Sequence, residues 1–184
     1  MALGTQLINV LEQIHQAGYV YNDLKPDNIM IKVPENSSMS DISFLKHEVN
    51  LIDFGFATKY LDKETGLHIE KKDVAMFRGN FTFASLNQLK YKTTSRRDDL
   101  IQLFYFLVYL LHGNSLFGIE TDAKSDKQAE LARIRKIKAG IKSKDLCVGD
   151  SSCLQNLKKE IFCYHFKDEP RYDLLREILI DQIE

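Results

Sequence analysis

Apolar residues return at helical intervals at the start of the chain. Leu3, Leu7, Val10, Leu11 and Ile14 line one face up to Ala17, and Gly18 stands where a left-handed cap residue ends a helix. Two short apolar runs follow, residues 29–31 and 49–52. Each is too short for a helix and rich in β-branched residues, which predicts two strands. Between them residues 34–47 are polar, predicting an unusually long hairpin loop. Ser37, Ser38, Ser40 and Ser43 are read as solvated positions of that loop rather than as modification sites. Residues 56–77 are mixed and charged, with Gly66 as a break and His68 read as solvent-exposed.

Asp98-Asp99 then opens a helix running to Leu111, closed by His112-Gly113-Asn114. Its body is apolar on nearly every side, a pattern that a globular fold accommodates only at its centre. A further helix over 121–139 turns Ala129, Leu131, Ile134 and Ile137 inward. Two last helices, over 154–166 and 172–180, flank a turn at Asp168-Glu169-Pro170. The expected fold class is mainly α with a small β-hairpin.

Composition narrows the function classes. The 184 residues are 44% hydrophobic and 28% charged, enough for one domain, 1–184, with a real core. Twenty-five basic residues against 26 acidic ones create no global field for nucleic acid or membrane. The three cysteines, Cys147, Cys153 and Cys163, form no C-x-x-C pair, which points to reduced thiols and a cytoplasmic or nuclear setting. The run 103–111 is short of the roughly 20 apolar residues of a membrane span. Lys124, Lys127, Arg133, Arg135, Lys136, Lys138, Lys142 and Lys144 make the region after residue 121 basic. This is read as a solvated helix face, the alternative being an anion-binding patch for acidic or phosphorylated substrates.

The chemistry is concentrated between residues 21 and 55. Tyr21-Asn22-Asp23-Leu24-Lys25-Pro26-Asp27-Asn28 feeds the first predicted strand, and Asp53-Phe54-Gly55 leaves the second. A hairpin of these strands brings Asn28 and Asp53 to one end. Two oxygen-bearing side chains there suit Mg²⁺, which takes hard oxygen ligands and fills its remaining positions with water and phosphate.

The pattern Asp-x-Lys-x-x-Asn followed by Asp-Phe-Gly resembles the catalytic loop and metal-binding motif of protein kinases. Ala84-Ser85-Leu86-Asn87, the block Ser95-Arg96-Arg97-Asp98-Asp99-Leu100, Lys59-Tyr60-Leu61-Asp62 and Asp168-Glu169-Pro170-Arg171-Tyr172 narrow the likeness to the casein kinase I family of serine/threonine kinases. The resemblance runs from about residue 3 to residue 180 and covers only the C-terminal, mostly helical lobe of that family's domain. It implies ATP and Mg²⁺ as cofactors and protein substrates as partners. By the same resemblance Asp23 orients the substrate hydroxyl and accepts its proton, and Lys25 neutralises the transferring phosphate. Asn28 and Asp53 hold Mg²⁺ on the nucleotide, and Asp99 holds the backbone of the catalytic loop.

Departures qualify this. Tyr21-Asn22 replaces the family's His-Arg, which removes the usual partner of a phosphorylated activation segment. Asn80 lacks the hydroxyl expected near the catalytic Asp, and Thr82 lacks a basic group linked to pre-phosphorylated substrates, although Arg78 lies close in sequence. The N-terminal lobe, with its glycine-rich loop and strand lysine, is expected to be absent. That leaves ATP weakly held, the isolated chain inactive, and an interlobe face open to a covering partner. The alternative is a non-catalytic pseudokinase or scaffold that binds proteins. A small-molecule phosphotransferase of the aminoglycoside or choline kinase kind shares the Asp…Asn…Asp arrangement, but Lys25 and the block 95–99 argue against it.

Overall fold

A computed structural model describes residues 1–32, 48–112, 127–141 and 146–181. The chain runs through α1 (Ala2–Gln16), β1 (Tyr19–Val20), a 3-10 turn (Pro26–Asn28), β2 (Ile29–Ile31), β3 (Val49–Leu51) and β4 (Thr58–Lys59). It continues through α2 (Leu86–Leu89), α3 (Arg96–His112), α4 (Lys127–Gly140), a second 3-10 turn (Gly149–Leu154), α5 (Gln155–Cys163) and α6 (Tyr172–Ile180). The reading of 34–47 and its serines, the cap at Gly113-Asn114, residues 121–126, and Lys142 and Lys144 lie outside the described residues.

Helix α3 is the axis. Every residue from Asp98 to Val108 is buried, as a helix apolar all round must be. Helix α1 packs against α3 and α6, and α5 packs against the same two helices. Leu7, Ile8 and Leu11 of α1 meet Leu103, Phe104 and Leu107 of α3 in one cluster with Leu157 and Leu175. Gly18 takes φ +84°, and its N–H caps α1 on the carbonyl of His15.

The predicted strands pair antiparallel as β2 and β3, with Ile29 opposite Leu51 and Ile31 opposite Val49. Ile52 lies just past β3, yet its N–H still donates to Asn28 O at 3.0 Å. The pairing of β1 with β4, Tyr19 opposite Lys59 and Val20 opposite Thr58, has no sequence signal because two-residue strands show no alternation. Helix α2, absent from the sequence reading, is set by a capping box. Ser85 Oγ accepts from Gln88 N, and Gln88 Oε1 accepts from Ser85 N.

Three expectations are corrected. The helix expected over 154–166 is shorter: α5 spans Gln155–Cys163, preceded by the 3-10 turn and ended by the extended Tyr164. Of the inward positions assigned in α4, Leu131 and Ile134 are buried, Ile137 is half-buried and Ala129 is exposed. The face also includes Lys138, which is buried rather than solvated. His68 is not a free surface histidine either. It packs between the rings of Tyr60 (5.2 Å) and Phe166 (4.8 Å), with Nδ1 2.9 Å from the Ile69 carbonyl.

The three cysteines are free thiols, Cys147 buried and Cys163 exposed. Among the described residues no helix is long and apolar enough to cross a membrane.

Candidate active site

The loop from Tyr21 to Asn28 is held mainly by side chains distant in sequence. At the start of α3 the buried Asp99 carboxylate accepts from Tyr21 N (2.6 Å) and Asn22 N (2.8 Å). His15 Nε2 lies 2.9 Å from Asp99 Oδ2, the oxygen that also accepts from Tyr21 N, and His15 Nδ1 meets Tyr172 Oη at 2.6 Å. A carboxylate without water needs such partners. This set draws a loop, α1, α3 and α6 onto one group.

Two glutamines continue the frame. Leu24 N donates to Gln102 Oε1 (2.9 Å), and Gln102 Nε2 donates to Gln88 Oε1 (3.2 Å). Gln88 Nε2 donates to Asn22 O (2.8 Å) and Arg78 O (2.5 Å). Room for this exists because residue 79 is glycine at φ +110°. A Cβ there would lie 2.3 Å from Asn22 O and 2.6 Å from Gln88 Nε2.

At the centre is Asp23, fully buried. Its Oδ2 accepts from Asn28 Nδ2 (3.0 Å) and pairs with Lys25 Nζ (2.9 Å). Its Oδ1 accepts from Asn80 Nδ2 (3.1 Å). Asn28 Nδ2 also reaches Asp23 O at 3.0 Å. Asn80 therefore does supply a donor at the position where the sequence offered no hydroxyl. It also donates to Leu24 O (3.0 Å), and its own Oδ1 accepts from Phe83 N (2.7 Å).

Asp53 follows β3 and sits in the left-handed region at φ +57°, where a side chain other than glycine's is strained. Its Oδ1 accepts from Gly55 N (3.1 Å), closing a local turn. The Asn28–Ile52 main-chain bond sets Asp53 one residue from a direct link to Asn28. Tyr21 reinforces this corner, its hydroxyl donating to Ile52 O and its ring meeting Phe54 edge-on at 5.3 Å. Burial pushes the Tyr21 phenol well above its ordinary pKa. The Asn28 side chain beside it opposes that, and the charges of Asp23, Asp53 and Asp99 add to it.

The donor set fits a hard divalent cation. Bonding to Asp23 commits the nitrogen of the Asn28 amide and leaves its oxygen as the ligating end, and Asp53 directly follows Ile52, whose N–H bonds the Asn28 carbonyl. Among the described residues no three His, Cys, Asp or Glu side chains form a metal-binding group. Mg²⁺ needs none, since one or two protein ligands plus phosphates and water satisfy it.

Asn22, standing in place of an arginine, uses its amide internally. Its Nδ2 donates to Phe56 O (2.9 Å) and Thr58 Oγ1 (2.9 Å), tying the segment after Gly55 to the loop. Beyond the site, Ile52, Phe54, Phe56, Tyr19 and Met30 expose apolar surface. A cavity of about 400 Å³ opens there between Ile14, Ala17, Tyr19, Phe54 and Ala57.

The sequence pattern of the protein kinase domain matches residues 2–180. A probable casein kinase I homolog from Encephalitozoon cuniculi is 30% identical over 191 aligned residues, covering 100% of this chain and 56% of that protein. The chain thus spans about half the length of that curated relative.

Proposed function

This chain belongs to the protein kinase family and is casein kinase I-like, and from that premise we propose that it serves ATP-dependent phosphoryl transfer to serine or threonine of protein substrates. Residues 1–184 then form the helical lower lobe of the catalytic domain. The observation that carries this is the environment of Asp23, whose carboxylate is held by Lys25, Asn28 and Asn80 in a loop pinned by Asp99.

Phosphoryl transfer needs positioning and charge stabilisation more than covalent help from the protein. Asp23 is the group that orients the acceptor hydroxyl and takes its proton. Oδ1, with one protein donor against two on Oδ2, is the oxygen with acceptor capacity left for it. Lys25, 28% exposed, reaches from Asp23 toward solvent, where it offsets charge on the transferring group. Asn28 and Asp53 would hold Mg²⁺. When bound, the ion neutralises phosphate charge. The neutral Asn22 amide holds the segment after Gly55 without a phosphate, which supports a site whose order does not depend on phosphorylation of that segment.

A second function draws on the exposed apolar face around Phe54 and the adjoining cavity. That surface suits protein docking, and in a non-catalytic scaffold docking is the whole function. Phosphorylation of acidic peptides with Mg·ATP, compared with small alcohols as acceptors, tests the enzyme. Peptide phosphorylation that is lost in Asp23→Asn supports it. Binding of partners with no transfer, even when a protein kinase N-terminal lobe is supplied with the Mg·ATP, rejects it in favour of the scaffold.

A further inference from the structure

Lys138 lies in a basic stretch of α4, yet only 6% of it is exposed. Its Nζ donates to the carbonyls of Ala84 (2.6 Å), Thr82 (2.7 Å) and Phe81 (3.2 Å), and lies 4.5 Å from the centre of the Tyr105 ring. A neutral amine has two N–H bonds, so three carbonyl acceptors call for the ammonium form. Burial opposes that charge and drives its pKa well below the ordinary lysine value. The carbonyl dipoles and the ring face compensate for the lost water.

The same turn of chain is gripped from its other side. Phe83 N donates to Asn80 Oδ1 (2.7 Å) and Ala84 N to Asn80 O (3.2 Å). Asn80 Nδ2 then reaches Asp23 Oδ1 and Leu24 O. Lys138 and Asp23 thus stand at the two ends of one short hydrogen-bonded path that crosses residues 80–84. The carbonyls at 81, 82 and 84 converge on a single nitrogen, which leaves that turn little freedom to reorient.

We propose that Lys138 is a positioning residue: its ammonium fixes the main chain of residues 81–84 in the one conformation in which the Asn80 amide meets Asp23. Helix α4 thereby governs the acceptor side of the site. The inference rests on the kinase function only for the meaning of Asp23. Its structural content is independent of turnover.

The test uses the full 184-residue chain, isotopically labelled, as wild type, Lys138→Met and Lys138→Arg. In the Met variant the side-chain amide resonances of Asn80 move toward their solvent-exposed position. The Phe83 amide exchanges at least about tenfold faster, while Leu103 and Phe104 in α3 keep their protection. The Arg variant, which restores charge and donors, recovers part of both signals. If the Met variant does not fold, Lys138→Gln, which keeps two donors, is read the same way. A lowered melting temperature with Asn80 and Phe83 signals unchanged would overturn the proposal and leave Lys138 as an anchor of α4 alone. Peptide phosphorylation, present or absent, bears on the catalytic function and not on this coupling.

Discussion

The Asn80 side-chain amide lies 3.1 Å from Asp23 Oδ1, joining two segments 57 residues apart. An amide here does part of what a hydroxyl would: it donates to the carboxylate while its own oxygen anchors Phe83 N. Asn80→Ala removes a hydrogen bond to a charged, buried acceptor and is expected to cost about 1–3 kcal/mol in urea denaturation. Asn80→Asp places a second carboxylate beside the first and should cost more. A loss below about 0.5 kcal/mol for Ala, the range of ordinary surface changes, would mean that the contact carries no weight.

Asp99→Asn preserves shape but replaces one accepting oxygen with a donor. Either Tyr21 N or Asn22 N then loses its acceptor, and His15 faces an altered partner. The expected loss is about 2–4 kcal/mol, accompanied by faster amide exchange at residues 21 and 22. Unchanged exchange at both amides would show that the loop is held by other means.

His68 supplies a pH dependence. Burial lowers its pKa, Arg96 and Lys167 lower it further, and the Ile69 carbonyl and Glu70 oppose them. The folded value therefore lies below the unfolded one, near 6.5, and in that interval the unfolded chain binds more protons. Its contribution to stability is complete above the unfolded pKa and declines as pH falls toward the folded one. Thermal melts between neutral and mildly acid pH should show this decline, and His68→Phe, which keeps the packing between Tyr60 and Phe166, should flatten it. An identical slope in the variant would assign the dependence to other groups.

Two glycines make a matched pair. Gly79→Ala adds a methyl 2.3 Å from the Asn22 carbonyl at φ +110°, and should cost more than about 3 kcal/mol because neither the backbone nor Gln88 can yield. Gly66→Ala, at φ +67° with nothing within 4 Å, carries backbone strain alone and should cost about 1–2 kcal/mol. Equal losses in denaturant melts would mean that the close approach at residue 79 relaxes freely.

The helices α1, α3 and α6 were legible because each carries a local apolar pattern, and the stretch 21–28 because its chemistry sits within eight residues. The frame around it was not legible. Gln88, Gln102 and His15 act on the loop from 66 or more residues away or across helix faces, and nothing in their own neighbourhoods marks them. His68 was misread because its aromatic partners Tyr60 and Phe166 belong to separate segments. Lys138 did leave a trace: it stands seven residues after Leu131 and four after Ile134, on the face those residues bury. Its charge masked a position that spacing alone would have turned inward.

The central claim is that Asn28 and Asp53 share one metal-bound nucleotide beside Asp23. Mn²⁺, a paramagnetic stand-in for Mg²⁺, added with ATP to the labelled chain reads this directly, even at weak affinity. The expected result is selective broadening of the Asn28 side-chain amide and of the Asp53 and Gly55 backbone amides, lost in Asp53→Asn. Broadening spread evenly over surface carboxylates, or unaffected by that substitution, would contradict it.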